Sequence, residues 1–398
     1  MQYTFADRIS SLQPSAIREI LKFTADPTVI SFAAGNPAPE AFPVQEVAEI
    51  SSRIFAERPI DALQYSITEG YTPLRDRMKN FMRDRYNSYR DFDELIVTSG
   101  AQQVMELTAK ALCNEGDTII CEAPSFIGSL NAFRSFGVKL RGVPVESDGI
   151  DIAQLEEALK EEKKAKFIYV IPNFQNPSGV TMSLEKRKAV YDLAGKYGVM
   201  ILEDNPYGEL RVKGENIPTI KSMDIDGRVI YAGTFSKVLS PGIRVGYAVA
   251  PSPVIQKMVV CKQVTDVHTN IFGQMLADEF MANYDFDAHL EKIRGIYRNK
   301  MGMMLDLMKQ HLPDSVTWNE PEGGLFIWCT LPEGADMLGF CKEAVETYRV
   351  AVVPGTAFLT DESAPCSSFR LNFSTPTDQQ LVEGMEKLGK AAAKYFTV

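Results

Sequence analysis

The chain has 398 residues, 45% of them hydrophobic and 24% charged, with a net charge of −10. That composition is ordinary for a globular protein, and an acidic balance with scattered basic residues leaves no electrostatic footprint for nucleic acid. No apolar run approaches a membrane span, and the first ten residues carry Asp7 and Arg8 in place of a secretory core. Six cysteines without CxxC spacing read as reduced core thiols of a cytoplasmic protein, and three histidines argue against a histidine-based metal site.

In chain order, residues 1–40 are proline-punctuated, with one candidate helix over 15–22. Residues 31–37 (SFAAGNP) read as a strand running into a turn, with backbone free to approach a ligand at Gly35. Helical spacing follows over 44–58 (Val47, Ile50, Ile54), an extended segment over 63–66, and a second helix over 72–86 with Leu74, Met78, Phe81 and Met82 on one face. From 94 to 250 the pattern changes to alternating strand and helix. Seven apolar runs stand out, at 95–98, 118–121, 138–143, 167–171, 199–202, 229–232 and 247–250. Near-continuous apolar strands interleaved with amphipathic helices predict a mostly parallel sheet covered on both faces. The last run follows the sixth too closely for a helical crossover and is expected to be antiparallel. A helix over 184–197 is bounded by Ser183 as N-cap and Gly198 as its stop. Residues 270–310 are helical, and short strands alternate with helices from 311 onward. The expected organisation is an N-terminal arm over 1–40 belonging to the smaller lobe, a large domain over 41–290, and a smaller α+β domain over 291–398.

The chemistry gathers around 231–246, YAGTFSKVLSPGIRVG. An apolar run breaks at Gly233 into small hydroxyl residues, Thr234 and Ser236, then Lys237, with Arg244 beyond a Pro-Gly turn. Burial would destabilise the ammonium of Lys237 and free its amine as a nucleophile toward carbonyls. Two hydroxyls and an arginine nearby are equipment for holding a phosphate. An amine beside a phosphate cradle suits an aldehyde cofactor bearing a phosphate, pyridoxal 5′-phosphate (PLP). A lone lysine is more often solvated, so the motif needs company.

Four further stretches supply it. Residues 95–103, LIVTSGAQQ, run from a strand into a helix whose first amides, at Gly100, Ala101 and Gln102, can meet an anion. Residues 173–179, NFQNPSG, dictate a tight turn carrying Asn176. Residues 203–207, EDNPY, end a strand and place Asp204 and Tyr207 where open α/β sheets bind ligands. Residues 369–373, FRLNF, put Arg370 inside an apolar strand, where a substrate carboxylate or a distant acidic residue could pair with it. Phe126, after the second strand, could stack on a ring or pack in the core.

Taken together, SGAQQ, NFQNPSG, EDNPY, TFSKVLSPGIRVG and FRLNFS resemble the class I/II aminotransferases of PLP fold-type I. FAAGNPAPEAFP, LQYSITEGYTPLRDRM and PEGGLFIW look most like the 2-aminoadipate/kynurenine aminotransferase subgroup. The resemblance implies a seven-stranded, mostly parallel large-domain sheet with one antiparallel strand, and a homodimer with shared active sites. It implies that Lys237 carries PLP and moves a proton, that Asp204 pairs with the ring nitrogen, and that Asn176 and Tyr207 bond the ring hydroxyl. Ala101, Gln102, Thr234, Ser236 and Arg244 would hold the phosphate, with Tyr65 reaching the partner subunit's phosphate. Arg370 would hold the substrate α-carboxylate, and Arg18 would meet an acidic side chain or withdraw from an apolar one. Phe126 replaces a tyrosine frequent in the subgroup, and Ala101 a common serine.

The expected activity is transfer of an amino group from an L-amino acid to a 2-oxoacid such as 2-oxoglutarate. Candidate donors are 2-aminoadipate or glutamate and aromatic or aliphatic amino acids. Rival readings are the ligand-sensing module of a transcription regulator, for which residues 1–40 leave no room for a DNA-binding domain, and a PLP-dependent β-lyase or decarboxylase.

Overall fold

The computed structural model describes residues 3–10 and 26–396. Its strands, in chain order, are β1 (Ile30–Ser31), β2 (Asp93–Thr98), β3 (Thr118–Ala123), β4 (Lys139–Glu146), β5 (Gly149–Ile150), β6 (Ala165–Val170), β7 (Met200–Asp204), β8 (Val229–Thr234) and β9 (Gly246–Pro251), followed by β10 (Thr317–Trp318), β11 (Phe326–Thr330), β12 (Val350–Ala351), β13 (Val353–Pro354) and β14 (Ser368–Asn372). The main sheet has the order β2-β9-β8-β7-β6-β3-β4-β5.

All seven apolar runs are strands of this sheet, and β9 is antiparallel to both β2 and β8 as expected. The sheet has eight strands instead of seven, because β5 folds back antiparallel on β4 at one edge. Two residues carry no periodicity, so β5 leaves no sequence signal. The continuous apolar runs are explained by burial on both faces. Phe167 and Tyr169 pack with Leu107 and Met258, while Ile168 and Val170 face the other way, toward Leu155 and Val190.

The helix Leu184–Tyr197 has the expected ends: Ser183 accepts from Lys186 N, and Gly198 adopts φ 68°. Residues 59–63, in contrast, form a short helix, so the extended segment begins only at Gln64. A second sheet, β10-β11-β14-β13, is antiparallel throughout, and β1 pairs in parallel with β12. The 26-residue helix Phe286–His311 runs between the two sheets in sequence and packs along the C-terminal helix Asp378–Phe396. Among the described residues no helix is long and apolar enough to cross a membrane.

The end of the main sheet away from the cavity is tied by a fully buried lysine. Lys221 Nζ donates to Asp93 Oδ1 at 2.7 Å, Asp224 Oδ2 at 2.8 Å and the Val229 carbonyl at 3.0 Å. Removing the cation would strand two buried carboxylates. Lys221→Ala should therefore lower unfolding stability by about 3–5 kcal/mol in urea titrations. A loss below about 1 kcal/mol, the range of surface pairs, would contradict this reading.

Candidate active site

Loops from the carboxyl ends of the strands converge on one cavity of about 310 Å³. Its lining brings together Gly35, Ala101, Gln102, Phe126, Asn176, Asp204, Tyr207, Thr234, Ser236, Lys237, Arg244 and Arg370. These come from seven separated stretches of sequence, so the fold alone unites them.

Lys237 is partly buried, and its Nζ donates to the Gly35 carbonyl at 2.7 Å. Desolvation, then the charges of Arg370 and Arg244, lowers its pKa from 10.5 to about 8. A minor but ready fraction of the amine is thus neutral near physiological pH, as nucleophilic attack on a carbonyl requires. Asp204 is buried at the end of β7. Its Oδ2 accepts from Tyr169 Oη at 2.8 Å, while Oδ1 is buried with no partner. Burial raises its pKa to about 7, against the Tyr169 hydrogen bond.

Arg370 is almost wholly buried in β14, between the rings of Phe326 and Phe358, 4.1 and 4.9 Å from their centroids. It donates to Asn176 Oδ1 and to the Ala33 carbonyl, each at 2.7 Å, while its Nε has no partner. Among the described residues no carboxylate pairs with it, so the internal ion pair considered from the sequence is absent there. Since Asn176 presents its oxygen to Arg370, its amide hydrogens are left for Tyr207 or a ligand. Burial raises the Tyr207 hydroxyl pKa, while Arg370 and a hydrogen bond with Asn176 work against the rise.

The phosphate-sized end of the cavity is built by close backbone contact. A side chain on Gly246 would come within 2.6 Å of Gly100 C and 2.7 Å of Ala101 N, so β9 can cross the helix N-terminus only as glycine. Gly100, at φ 78°, lies beneath the Arg244 guanidinium, where a Cβ would meet Nη2 at 2.4 Å. Gly100 thus shapes this end without lining the cavity. Thr234 Oγ1 bonds Ser236 Oγ at 2.9 Å, and Arg244 donates to the Ser99 and Pro241 carbonyls. Phe126 reaches the cavity over Gly128, whose missing side chain leaves room for the ring.

Two expected residues stand apart. Tyr65 is 82% exposed and does not line the cavity, its ring edge-on to His268 at 5.8 Å. Arg18 lies outside the described residues, as does the candidate helix over 15–22. Sequence reasoning missed Tyr169 with Ser129, which steady Asp204, and the two phenylalanines around Arg370. In sequence each is simply an aromatic or small residue of a strand or helix, with nothing to mark it.

An amine of depressed pKa, an anion cradle and a buried carboxylate oxygen without a partner define an enzyme site for a phosphorylated pyridine aldehyde. Asp204 Oδ1 provides an acceptor for a protonated ring nitrogen, and the glycine-lined helix start provides amides for a phosphate, so the residues fit PLP. The profile of aminotransferase classes I and II matches residues 27–388. The chain is 40% identical to an aromatic-amino-acid aminotransferase of Thermococcus litoralis, covering 97% of this chain and 93% of that one. It superposes on the Pyrococcus horikoshii kynurenine aminotransferase solved with pyridoxamine phosphate (PMP) and kynurenine, with a TM-score of 0.95, 37% identity and coverage of 99% and 98%. A TM-score of 0.90, at 37% identity and the same coverage, relates it to the α-aminoadipate aminotransferase of Thermus thermophilus bound to phosphopyridoxyl-leucine. The chain belongs to the class I and II aminotransferases. It is a PLP-dependent aminotransferase of fold-type I.

In cofactor-free protein, amine-directed labelling of Lys237 should titrate with a midpoint near pH 8. Because the folded pKa lies below the unfolded one, Lys237 weakens the fold most below pH 8, and the cost fades as pH climbs toward 10.5. Arg370→Met should move the labelling midpoint upward by removing a neighbouring cation. A midpoint near 10.5 in the parent protein would mean a solvated amine.

Proposed function

We propose that Lys237 carries PLP and moves the proton at the substrate α-carbon, with Asp204, Asn176, Tyr207 and Arg370 holding the reactants around it. The carrying observation is that the Lys237 amine and the carboxylate-free Arg370 guanidinium share one cavity with the unpartnered Asp204 Oδ1. PLP, when bound, supplies an electron sink for charge developing at the α-carbon. Asp204 would keep the ring nitrogen protonated, and Asn176 and Tyr207 would hold the ring hydroxyl. Phe126 would stack on the ring, and Ala101, Gln102, Thr234, Ser236 and Arg244 would anchor the phosphate. Arg370 would clamp the α-carboxylate, with Gly35 backing the substrate and its carbonyl keeping the Lys237 amine in place between proton transfers.

Aromatic and aliphatic amino acids are the donors we favour, because Phe126, Phe326, Met105 and Ile171 give the cavity apolar walls. Among the described residues its cations are Lys237, Arg244 and Arg370, all assigned above. A 2-aminoadipate or glutamate side chain would thus need Arg18, with a 2-oxoacid such as 2-oxoglutarate as acceptor. The names of the relatives, aromatic, kynurenine and aminoadipate aminotransferases, agree with this range. We further propose a cytoplasmic homodimer, with residues 41–290 as the large domain and 291–398 plus the 1–40 arm as the small one. Supporting the dimer, Leu63, Tyr65, Ile67, Val264 and Val267 are exposed apolar side chains, and the Tyr65–His268 contact joins their two segments.

Borohydride reduction followed by peptide mapping should place the pyridoxyl adduct on Lys237, and an adduct on another lysine would refute the assignment. Arg370→Ala should reduce kcat/KM for amino acids by about 2–5 kcal/mol, roughly 30-fold or more, while PLP stays bound. Loss of PLP binding in that variant would mark a structural arginine. Arg18→Ala should lose activity selectively with 2-aminoadipate; equal loss with phenylalanine would remove its role in recognising acidic donors. Mixing inactive Lys237→Ala and Tyr65→Ala subunits should restore activity through hybrid dimers. No recovery despite proven subunit exchange would contradict shared sites.

A further inference from the structure

Beneath the cavity a line of buried polar side chains crosses the carboxyl ends of three neighbouring strands. It starts at Arg187, one turn into the helix Leu184–Tyr197 and wholly inaccessible to solvent. Arg187 Nε donates to the Met182 carbonyl at 3.0 Å, and Nη1 to the carbonyls of Ile217 and Pro218 at 3.2 and 3.0 Å. Nη2 donates to the Pro172 carbonyl at 3.0 Å and to Asn173 Oδ1 at 2.7 Å. Asn173 Nδ2 then donates to Asn205 Oδ1 at 2.8 Å, and Asn205 Nδ2 to Tyr231 Oη at 2.9 Å.

The direction of this line is imposed from one end. A guanidinium offers only donors, so Asn173 must turn its oxygen toward Arg187. Its amide hydrogens then face Asn205, which must present its own oxygen and pass its hydrogens to Tyr231. Burial lowers the Arg187 pKa to about 10, so it remains a cation at neutral pH. Glu203, the acid whose charge acts on Arg187, accepts from the backbone N–H groups of Ile220 and Lys221, leaving Arg187 to the carbonyls and the amide.

The three members beyond Arg187 stand close in sequence to cavity residues. Asn173 precedes Asn176 by three positions, Asn205 sits between Asp204 and Tyr207, and Tyr231 precedes Thr234 by three. Gly208 keeps the space around Asn205 clear, because a Cβ there would lie 2.5 Å from Asn205 Nδ2. We propose that Arg187 and the Asn173–Asn205–Tyr231 line are positioning residues that fix the spacing of Asn176, Asp204 and Tyr207 around the cofactor ring. Arg187 touches neither substrate nor cofactor; it acts through the two amides. A lysine could not replace it, since one ammonium cannot span five acceptors on separate loops. The inference rests on the proposed site roles only for its rate readout, because cofactor affinity is measured without turnover.

The test uses full-length holoprotein carrying Asn205→Ala, with Ser88→Ala as a control that removes the buried Ser88–Thr219 hydrogen bond outside the line. PLP dissociation constants, the pH midpoint of the bound-cofactor absorbance, and kcat/KM are compared with thermal midpoints. Asn205→Ala should weaken PLP binding about tenfold or more, shift the absorbance midpoint, and lower kcat/KM about 100-fold. Ser88→Ala should alter only the thermal midpoint. The proposal is overturned if Asn205→Ala changes affinity by less than about twofold with an unmoved midpoint, or if Ser88→Ala shifts both as much. Should Asn205→Ala not fold, Arg187→Lys carries the same test with the same two outcomes. Weakened PLP binding together with activity absent even from the parent protein would count against the proposed roles while upholding the positioning line.

Discussion

Arg370 is buried between two phenylalanine rings, and its polar contacts are a neutral amide and a backbone carbonyl. A guanidinium in that setting has lost much of its hydration without gaining an opposite charge, and its pKa falls to about 10 under the desolvation. The same condition recurs across the cavity. Lys237 is pushed toward its neutral form, and Asp204 is buried with one oxygen open. None of these groups serves the fold well as it stands. Each is matched by a piece of the reactants: a carboxylate, an aldehyde carbonyl, a protonated ring nitrogen.

The rest of the architecture makes such an arrangement tolerable. Continuous apolar strands bury the sheet on both faces, so the fold's stability comes from below the cavity and the strand ends can be spent on chemistry. Glycines set where elements cross: Gly246 lets β9 pass the helix N-terminus, and Gly100 seats the Arg244 guanidinium. Two buried cations outside the cavity are, in contrast, satisfied. Lys221 has two carboxylates and a carbonyl, and Arg187 has five acceptors. Full satisfaction of these two cations, against the open Nε of Arg370, separates scaffold from site.

Much of this was legible in the sequence where the signal is local. Seven long apolar runs mark seven strands, and Ser183 and Gly198 mark one helix to the residue. Arg370 stood out because a charge inside an apolar strand needs a reason. Lys237, Asp204 and Asn176 sit in motifs whose order matches a known family. What could not be read depends on contacts between distant residues. Tyr169 looks like any strand aromatic until its hydroxyl is seen on Asp204, 35 positions away. Asn173 and Asn205 look like turn residues, and only the fold aligns them with Arg187. The two-residue β5 is too short for any pattern, and Tyr65 in a single chain lies on the surface.

The cavity's buried charges are held for the ligands and against the stability of the protein alone. Asp204 gives the cleanest case. Its folded pKa, raised from 3.8 to about 7, means that stability declines as pH rises through that interval and that the penalty is complete above it. The direct measurement is equilibrium unfolding of cofactor-free Asp204→Asn and parent protein at pH 5 and pH 8, with PLP affinity recorded alongside. The variant should be the more stable protein at pH 8, with the advantage shrinking at pH 5 and its PLP affinity collapsing. A variant less stable than the parent at pH 8 would show instead that the Asp204 carboxylate holds the fold together.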